Sequence, residues 1–411
     1  MADTRPLTQA FPFLGTGPVS TEPYTSPEFF ELEKERIFRR EWLNLARDEE
    51  LPNPGDFVVR EIEPCNASII LVRGEDRVVR AFHNICSHRG NKLVFAEKGT
   101  NSSFMCRYHG WTYGLDGALK LVTAQDKFFN LDRADCALPA VHCETWSGFI
   151  FVNLSQPRQS LREFLGGWAD FATGYPFERG TAPAYMSYEL KANWKIAVDA
   201  FQETYHLGYL HRKTMRNMYF TPQDHSGSFL SIDLYGPHRR YSVWANGDYK
   251  PPESATVEHL ARRFGRNINA GATAGETPIT DLCPGLNPTR AKNWCWENAF
   301  VFPNLVVTFT PEIWILSRFW PLAQDRTRWE NITFYPKPKT ASERFSREYG
   351  FCHLRDVAAE DVDTMEGTTK ALLSGARKTM HLQDSEIGVR HLLHTVENYV
   401  RPKPGRAVAA E

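Results

Sequence analysis

Two short segments that each pair a cysteine with a histidine constrain this chain more than any other feature of its sequence. Cys86 and His88 are separated by one residue, and after a gap of 17 residues Cys106 and His109 are separated by two. Each segment offers one thiolate and one imidazole. In one type of [2Fe–2S] cluster, two thiolates bind one iron and two imidazoles bind the other, which raises the reduction potential. The spacing predicts such a cluster, held between two fingers of the chain.

A structural zinc site is the alternative interpretation of the same four residues. Zinc fingers place both cysteines in one segment and both histidines in another. In this chain each segment carries one of each type, which favours the cluster. The remaining cysteines have no ligand partner at motif spacing, and buried inert thiols are expected. They are Cys65, Cys136, Cys143, Cys283, Cys295 and Cys352.

Length and charge limit the architecture and the kind of partner. A chain of 411 residues is too long for one small core, so two domains are expected. The formal net charge of -1 gives no reason to expect binding to nucleic acid or to a membrane surface. The first residues contain no apolar signal segment, and no apolar run is long enough to span a bilayer. A cytoplasmic location is therefore expected.

The first part of the chain contains one predicted helix followed by short strands. Ser26 and Pro27 are a typical N-cap and first helical residue. The apolar stripe assigned to this helix is Phe30, Ile37, Phe38, Trp42 and Leu45. Strand-like runs bounded by turn-forming residues follow at 57–62, 68–73, 77–82 and 146–154. We expect an N-terminal extension with a helix at 1–44 and a small all-β domain at 45–156.

The second part, 157–411, mixes helices and strands, so the predicted fold class is α+β. Helices are predicted at 161–175, at 193–206 and along the tail at 341–400. Antiparallel strands are predicted at 299–322 and 327–338, and an irregular stretch at 245–293.

The segments CSHRG and FMCRYHGWTYGLDG resemble the Rieske motif of the α subunits of ring-hydroxylating, non-haem iron oxygenases. The second half of the chain carries the family's other signature, so the resemblance covers nearly the whole chain. It implies a small Rieske [2Fe–2S] domain followed by a larger catalytic domain. That catalytic domain is expected to have a central antiparallel sheet packed by helices, similar to a helix-grip fold.

The second signature is NWKIAVDAFQETYHLGYLH, which contains His206 and His211. A spacing of five residues turns about 140° around a regular helix, so both rings cannot face one point unless the helix ends or distorts. We expect that break near Leu207 and Gly208. The metalloprotease pattern H-E-x-x-H is absent. Two histidines and one carboxylate would form a facial triad that binds Fe(II) and leaves positions open for O2.

The third ligand follows from the resemblance. In the family it lies in a C-terminal helix, typically in a Glu-Asp pair followed by another acid. Glu360 and Asp361, with Glu366 downstream, match that pattern, so Asp361 is the ligand implied. Asp363 and Asp384 are the competing acids.

The resemblance also assigns a role to Glu203. The family carries an acid at this position, most often Asp, which contacts an iron-ligand histidine and a Rieske-ligand histidine. A carboxylate between two imidazoles fixes their tautomers and connects the two sites. In the family this bridge crosses a subunit boundary in a head-to-tail trimer. The corresponding partners in this chain are His206 and His109.

The implied function is that of the terminal oxygenase in a multicomponent system. Electrons from NAD(P)H are expected to arrive through a separate reductase, a ferredoxin or both, because the chain has no nucleotide-binding fingerprint. The expected reaction is O2-dependent dihydroxylation, monohydroxylation or oxidative N- or O-dealkylation of an aromatic hydrocarbon or other apolar small molecule. The expected assembly is a homotrimer, or three α subunits with three small β subunits.

The substrate pocket is expected to draw residues from the helix before His206 and from the large sheet. The candidates are Asp199, Ala200, Phe309 and Trp314. Plain core packing is the alternative for each aromatic residue, because strand alternation points about half of such side chains elsewhere.

Two other hypotheses remain open on the sequence. Glu in place of Asp at position 203 occurs in family branches that oxidise quaternary ammonium compounds, so such an oxygenase is the first. An electron carrier without oxygenase activity is the second, although it leaves His206 and His211 unexplained.

Overall fold

The computed structural model describes residues 6–215, 217–219, 229–265, 282–311 and 313–402. The chain divides into two compact units. Lys34–Phe164 form the smaller unit, and Met1–Glu33 together with Leu165–Glu411 form the larger one. Within the described ranges, no helix is both long enough and apolar enough to cross a membrane.

Most strands of the described chain come in two long series, β2 to β11 and β12 to β18, with most helices before, between or after them. The helices are α1 Leu7–Ala10, α2 Glu22–Thr25, α3 Pro27–Glu33, α4 Leu161–Ala172, α5 Trp194–Asp199, α6 Thr256–Phe264, α7 Ala341–Leu373 and α8 Ile387–Val400. The strands are β1 Val19–Ser20, β2 Leu43–Arg47, β3 Asp56–Ile62, β4 Ala67–Arg73, β5 Val79–His83, β6 Lys98–Thr100, β7 Phe104–Met105, β8 Thr112–Tyr113, β9 Leu119–Leu121, β10 Ala140–Trp146, β11 Phe149–Asn153, β12 Ala182–Leu190, β13 Ser231–Tyr235, β14 His238–Trp244, β15 Trp294–Val301, β16 Leu305–Phe309, β17 Trp314–Ala323, β18 Arg326–Tyr335 and β19 Thr379–Met380.

The smaller unit consists mainly of antiparallel strands. One sheet has the order β2-β11-β10-β5-β4-β3-β6, and a second has the order β7-β8-β9. Between them lies a buried apolar cluster that includes Phe82, Trp111 and Tyr113. Cys86 and Cys106 belong to the same cluster, so the cysteines of the motif are anchored in the core of this unit. The predicted small all-β domain is confirmed.

The larger unit is built on one antiparallel sheet with the order β12-β18-β17-β16-β15-β14-β13. Helix α5 packs against β17 and β18, and the long helix α7 packs against β12, α5 and α6. The Thr340 side chain caps α7 by accepting a hydrogen bond from the Glu343 N–H at 3.1 Å. The predicted combination of a central antiparallel sheet with packed helices is confirmed.

A fully buried ion pair joins the N-terminal segment of the larger unit to α5. Lys195 Nζ lies 2.6 Å from Glu33 Oε1, and both side chains are completely inaccessible. The indole N–H of Trp194 donates to the other Glu33 oxygen at 2.9 Å. Burial raises the pKa of Glu33 and lowers that of Lys195, and their mutual attraction opposes both shifts.

The helix predicted at Ser26 and Pro27 begins where expected but is shorter than its apolar stripe implied. Ser26 Oγ accepts a hydrogen bond from the Phe29 N–H at 3.0 Å, as an N-cap does. After α3, a π-helical turn covers Lys34–Phe38. The helical assignment of Trp42 and Leu45 is wrong: Trp42 lies beyond this turn, and Leu45 belongs to β2, which pairs with β11. Sheet pairing overrides the local periodicity.

Other predicted boundaries also change. The run at 146–154 is interrupted by a hairpin turn at Ser147 and Gly148, both with positive φ, so it supplies parts of β10 and β11. The helix predicted at 193–206 ends at Asp199. The stretch at 245–293, expected to be irregular, contains α6, whereas its residues 266–281 lie outside the described residues.

Candidate metal centres

Two nearly identical turns present the four candidate ligands of the smaller unit. The Gly90 N–H donates to the Cys86 carbonyl, and the Gly110 N–H donates to the Cys106 carbonyl, each at 2.9 Å. Both glycines have φ of 73°, a conformation that residues with a side chain rarely adopt. A Cβ at Gly110 would also lie 3.0 Å from Thr123 Oγ1. The same type of backbone turn therefore occurs twice, and each copy presents one cysteine and one histidine.

The two turns bring the histidine rings together at the surface of the unit. His88 Nδ1 and His109 Nδ1 are 3.1 Å apart. His88 also stacks on Trp111, with ring centroids 5.0 Å apart. Two imidazole nitrogens converge on one point, which is the arrangement that a shared metal ion requires.

The two sulfur atoms are buried and receive hydrogen bonds. The Tyr113 hydroxyl accepts from the Ser87 N–H and lies 3.3 Å from Cys86 Sγ. The Asn91 amide donates to Cys106 Sγ at 3.7 Å. Burial raises the pKa of Cys106, but hydrogen bonds, first from the Tyr108 N–H and then from the Cys86 side chain, outweigh it and lower the pKa. Hydrogen bonds to cluster sulfurs help to set the reduction potential.

These observations fit a [2Fe–2S] cluster. Two thiol groups in the apolar core would hold the inner iron, and two imidazoles nearer to solvent would hold the outer iron. The donor set does not separate into a cysteine pair and a histidine pair along the chain, as a zinc finger would require.

In the larger unit, consecutive turns replace a regular helix around His206 and His211. After α5 ends at Asp199, the N–H groups of Tyr209 and Leu210 both donate to the His206 carbonyl, at 3.0 and 2.8 Å. The imidazole rings of His206 and His211 lie 5.1 Å apart at 74° to each other. The sequence predicted a break in the helix near Leu207, but the helix ends earlier, and the turns allow both rings to face one point.

Asp361, on α7, faces both imidazoles. Its Oδ1 lies 3.2 Å from His211 Nε2 and 3.9 Å from His206 Nε2. One ligand atom from each of the three residues fits within 4.8 Å of the others. The same Asp361 oxygen is buried and accepts no hydrogen bond from any described residue. A buried oxygen that accepts no hydrogen bond from the described residues and faces two imidazole nitrogens fits a bound metal cation.

Besides facing Asp361, each of the two histidines is oriented by a carboxylate of its own. His206 Nδ1–H donates to Glu203 Oε1 in a short hydrogen bond. His211 Nδ1–H donates to Glu360 Oε2 at 2.8 Å, and Thr214 Oγ1–H donates to the same oxygen at 2.7 Å. Because each Nδ1 carries a proton, each Nε2 is free to bind a metal ion.

The acids around His206 favour a positive charge at this position. Burial lowers the pKa of His206, but Glu203, Asp361 and Glu386 together raise it to about 9. The same electrostatic environment stabilises a metal cation near the ring.

The competing acids have other roles or positions. Asp363 is exposed on α7. Asp384 accepts hydrogen bonds from the N–H groups of Leu7 and Thr8, at 2.7 and 2.9 Å. Glu366, which is not a competitor but the downstream acid of the matched pattern, accepts a hydrogen bond from the Lys191 N–H at 3.0 Å.

The four candidate pocket residues lie in different environments. Asp199 is half-buried, accepts a hydrogen bond from the Tyr24 hydroxyl at 2.7 Å, and has its pKa raised by desolvation to about 7. Ala200 is the C-cap of α5. Phe309 packs in an aromatic cluster with Phe171, Tyr175 and Phe177, and Trp314 stacks on Phe334 at 3.7 Å.

An apolar cluster borders all three candidate iron ligands, and we call it the apolar wall. Its buried members are Leu207, Met215, Met218, Tyr219, Ala245, Cys295 and Val357. Leu207 follows His206 directly, the Met215 N–H donates to the His211 carbonyl at 2.8 Å, and Val357 lies one helical turn before Asp361.

Sequence reasoning missed Glu360 as a support for His211, Thr214 as its anchor, Tyr113 beside Cys86, and the apolar wall. Glu360 was visible only as the neighbour of Asp361 in the Glu-Asp pair. The other contacts join segments far apart in the sequence, so no local pattern indicates them.

Two families match the chain. Residues 177–401 match the family described as "Ring hydroxylating alpha subunit (catalytic domain)", and residues 41–141 match "Rieske [2Fe-2S] domain". The first match alone covers more than half of the chain.

Two known relatives are similar in sequence to about half of this chain. The carnitine monooxygenase oxygenase subunit of Acinetobacter baumannii is 35% identical over 191 residues, which are 46% of this chain and 51% of that protein. The large oxygenase component of a naphthalene 1,2-dioxygenase system from Pseudomonas aeruginosa is 35% identical over 199 residues, 46% of this chain and 43% of that protein. The chain thus matches about half the length of these curated relatives.

A quaternary ammonium Rieske monooxygenase, CntA, in complex with an inhibitor, superposes with a TM-score of 0.74 and 21% identity. The superposition covers 93% of this chain and 95% of that one. At this level of identity the likeness concerns the fold alone.

Proposed function

The chain belongs to the family of ring-hydroxylating oxygenase alpha subunits, and on that basis we propose that it is the terminal oxygenase of a multicomponent Rieske system. Its cofactors are a Rieske [2Fe–2S] cluster and a mononuclear iron. The proposed reaction inserts oxygen from O2 into a small organic molecule, with electrons from NAD(P)H supplied through separate proteins.

One observation supports this proposal above the others. His206, His211 and Asp361 converge in a chain that also carries two turns with paired cysteine and histidine. An electron carrier needs only the second feature. Two imidazoles and one carboxylate are a donor set that leaves positions open on the iron for O2 and substrate chemistry.

The residues of the chain are proposed to act as follows. Cys86, His88, Cys106 and His109 would hold the cluster, and His206, His211 and Asp361 would hold the iron. Once bound, the iron supplies a site for O2 activation and the cluster supplies single electrons. Glu360 keeps the His211 ring oriented through Nδ1, and Thr214 keeps Glu360 in place. The apolar wall excludes water from the side of the site that it borders.

Glu203 is proposed to join the two kinds of site between subunits. One of its oxygens accepts from His206 Nδ1–H, and the other accepts from the His206 N–H at 3.1 Å. In the proposed assembly the same carboxylate also contacts His109 of the partner subunit. The longer side chain of Glu, compared with Asp, extends the reach of the carboxylate by one methylene group.

Two substrate classes are proposed. An aromatic or other apolar small molecule is the first, supported by the similarity to a naphthalene dioxygenase component. A quaternary ammonium compound is the second, supported by the similarity to a carnitine monooxygenase subunit and by Glu at position 203.

The proposed partners and setting follow the family pattern. We propose that a reductase, a ferredoxin or both deliver electrons, and that the protein works in the cytoplasm. A homotrimer, with or without three small β subunits, is the proposed assembly.

Reconstitution tests the proposed activity. The purified protein, a reductase and NADH would be supplied with ¹⁸O2 and with naphthalene or carnitine, and products would be examined by mass spectrometry. Incorporation of labelled oxygen is expected. Glu203→Gln should retain both metals but lose product formation, whereas the same change at the exposed Glu189 should have no effect. Normal turnover of Glu203→Gln would refute the bridging role.

Metal content distinguishes the oxygenase from the electron carrier. The oxygenase requires about three irons per chain, two in the cluster and one at the second site. A preparation with a complete cluster and no additional iron after anaerobic loading would favour the carrier.

A further inference from the structure

Two buried hydrogen-bond donors near the apolar wall have no acceptor among the described residues. Tyr219 is 1% exposed, and its hydroxyl makes no hydrogen bond within the described part of the chain. Arg262 Nη2, on α6, is also buried and makes none there. An unpaired buried donor is unfavourable, so these two groups indicate a ligand that supplies acceptors.

Contacts through Tyr249 connect the surroundings of the two donors. Tyr219 is a member of the apolar wall, and its ring meets Trp296 edge-on at 4.6 Å. Tyr249 packs against the same wall, and the Arg262 guanidinium lies over the Tyr249 ring at 5.1 Å. Burial raises the pKa of Tyr219, and the positive charge of Arg262 opposes this shift, as it does for the Cys295 thiol.

Glu258 holds Arg262 in this position. Its Oε1 accepts from the Tyr249 hydroxyl and from Arg262 Nε, both at 3.2 Å. The guanidinium is therefore fixed by one edge, through Nε, while Nη2 remains without an acceptor among the described residues. A guanidinium fixed in this way can pair a second carboxylate without first being ordered.

We propose that Tyr219 and Arg262 form a binding subsite for a carboxylate group of the substrate. The Tyr219 hydroxyl and Arg262 Nη2 both donate, and neither has an acceptor among the described residues, so the complementary ligand group is an anionic acceptor with two oxygens. The wall that contains Tyr219 also borders His206, His211 and Asp361, so a substrate bound through its acid end extends along apolar side chains toward the iron ligands. The inference rests on the proposed function and adds that the substrate is a small carboxylic acid.

Anaerobic calorimetry of the metal-loaded protein tests the subsite independently of turnover. The probes are two matched pairs, benzoate with methyl benzoate and γ-butyrobetaine with its methyl ester. Each pair differs only in the charge and one methyl group. At least one acid is expected to bind about tenfold more tightly than its ester. Equal affinities within both pairs, or no binding by either acid, would overturn the proposal.

Single-residue variants test whether the preference for the acid depends on Tyr219 and Arg262. Tyr219→Phe, which removes only the hydroxyl, and Arg262→Met should each weaken binding of the acid about tenfold and leave the ester unchanged. Met218→Leu alters the same wall without changing a donor, so it should affect acid and ester equally. Tyr219→Phe is the decisive variant because it preserves packing, and an unchanged acid affinity in this variant would contradict the subsite.

A separate product assay distinguishes this inference from the proposed function. Selective binding of the acid without any oxygenated product would support the carboxylate subsite and contradict the proposed oxygenase activity. Oxygenation of a substrate with no preference for acids over esters would support the oxygenase and contradict the carboxylate subsite.

Discussion

The two candidate metal centres are held in opposite ways. In the smaller unit, all four candidate ligands lie between Cys86 and His109, and two backbone turns closed by Gly90 and Gly110 hold them. In the larger unit, His206 and His211 meet Asp361 from a distant helix.

The contacts that support the two sites also differ in how local they are in the sequence. The cysteines are fixed in an apolar cluster and by local hydrogen bonds. The histidines of the second site are oriented by the carboxylates of Glu203 and Glu360, and only Glu203 is close in sequence to its partner. The first site therefore depends on local backbone geometry, and the second depends on the docking of α7 and on charged side chains.

The largest expected effect is the selective loss of one metal centre. Cys106→Ala removes a cluster ligand and should abolish the red-brown colour while iron still binds at the second site. Asp361→Ala should leave the colour intact and remove the single iron. Visible spectra and metal analysis check both results.

Asp363→Ala is the matched control for Asp361→Ala, because Asp363 is exposed on the same helix. It should retain both centres. Loss of the cluster in Asp361→Ala would mean that the two sites are not assembled independently.

The next largest effect concerns the stability of the larger unit. Lys195→Met leaves the Glu33 carboxylate buried without its cation and should lower the free energy of unfolding by about 3–5 kcal/mol. Urea unfolding followed by tryptophan fluorescence measures this change, and the visible circular dichroism of the cluster reports on the smaller unit.

Lys191→Met is the control, since Lys191 is exposed a few residues earlier. The double variant Glu33→Leu/Lys195→Met should recover part of the lost stability, because no buried charge remains unpaired. A double variant less stable than Lys195→Met would contradict the assignment of the loss to an unpaired charge.

A smaller effect is expected from Glu360→Gln. Replacing the carboxylate that orients His211 should weaken Fe(II) binding by about 10- to 100-fold, as loss of an outer support to a metal ligand does. Anaerobic titration with Fe(II) measures the affinity, and cluster content should not change. Glu348→Gln, at an exposed position of the same helix, should bind iron normally.

The smallest effect is expected from Thr214→Val, which removes the hydroxyl that donates to Glu360. The carboxylate keeps its contact with His211, so iron affinity should fall by only about two- to tenfold. The same titration applies, with Thr181→Val as an exposed control. A larger loss in Thr214→Val than in Glu360→Gln would show that Thr214 supports the site by a route other than Glu360.

Prediction from sequence succeeded best where the constraint is local. The strands at 57–62 and 68–73 and the helix start at Pro27 were found because alternation, turn residues and capping are read within a few residues. The end of α5 was misplaced because the chain just after it is held by distant strands: the Phe201 carbonyl accepts hydrogen bonds from the Tyr241 hydroxyl and the Asn298 amide, which no helix propensity indicates.

By itself, the sequence determined the fold class and the family, because the two Cys-His segments and their glycines are short patterns with few structural solutions. The resemblance implied Asp361, whereas tertiary structure alone decided that Glu360 and Thr214 stand behind His211 and that the Tyr219 hydroxyl and Arg262 Nη2 are buried near one wall. These contacts join residues far apart in the chain, and their geometry depends on how helices and strands pack, which local sequence patterns do not encode.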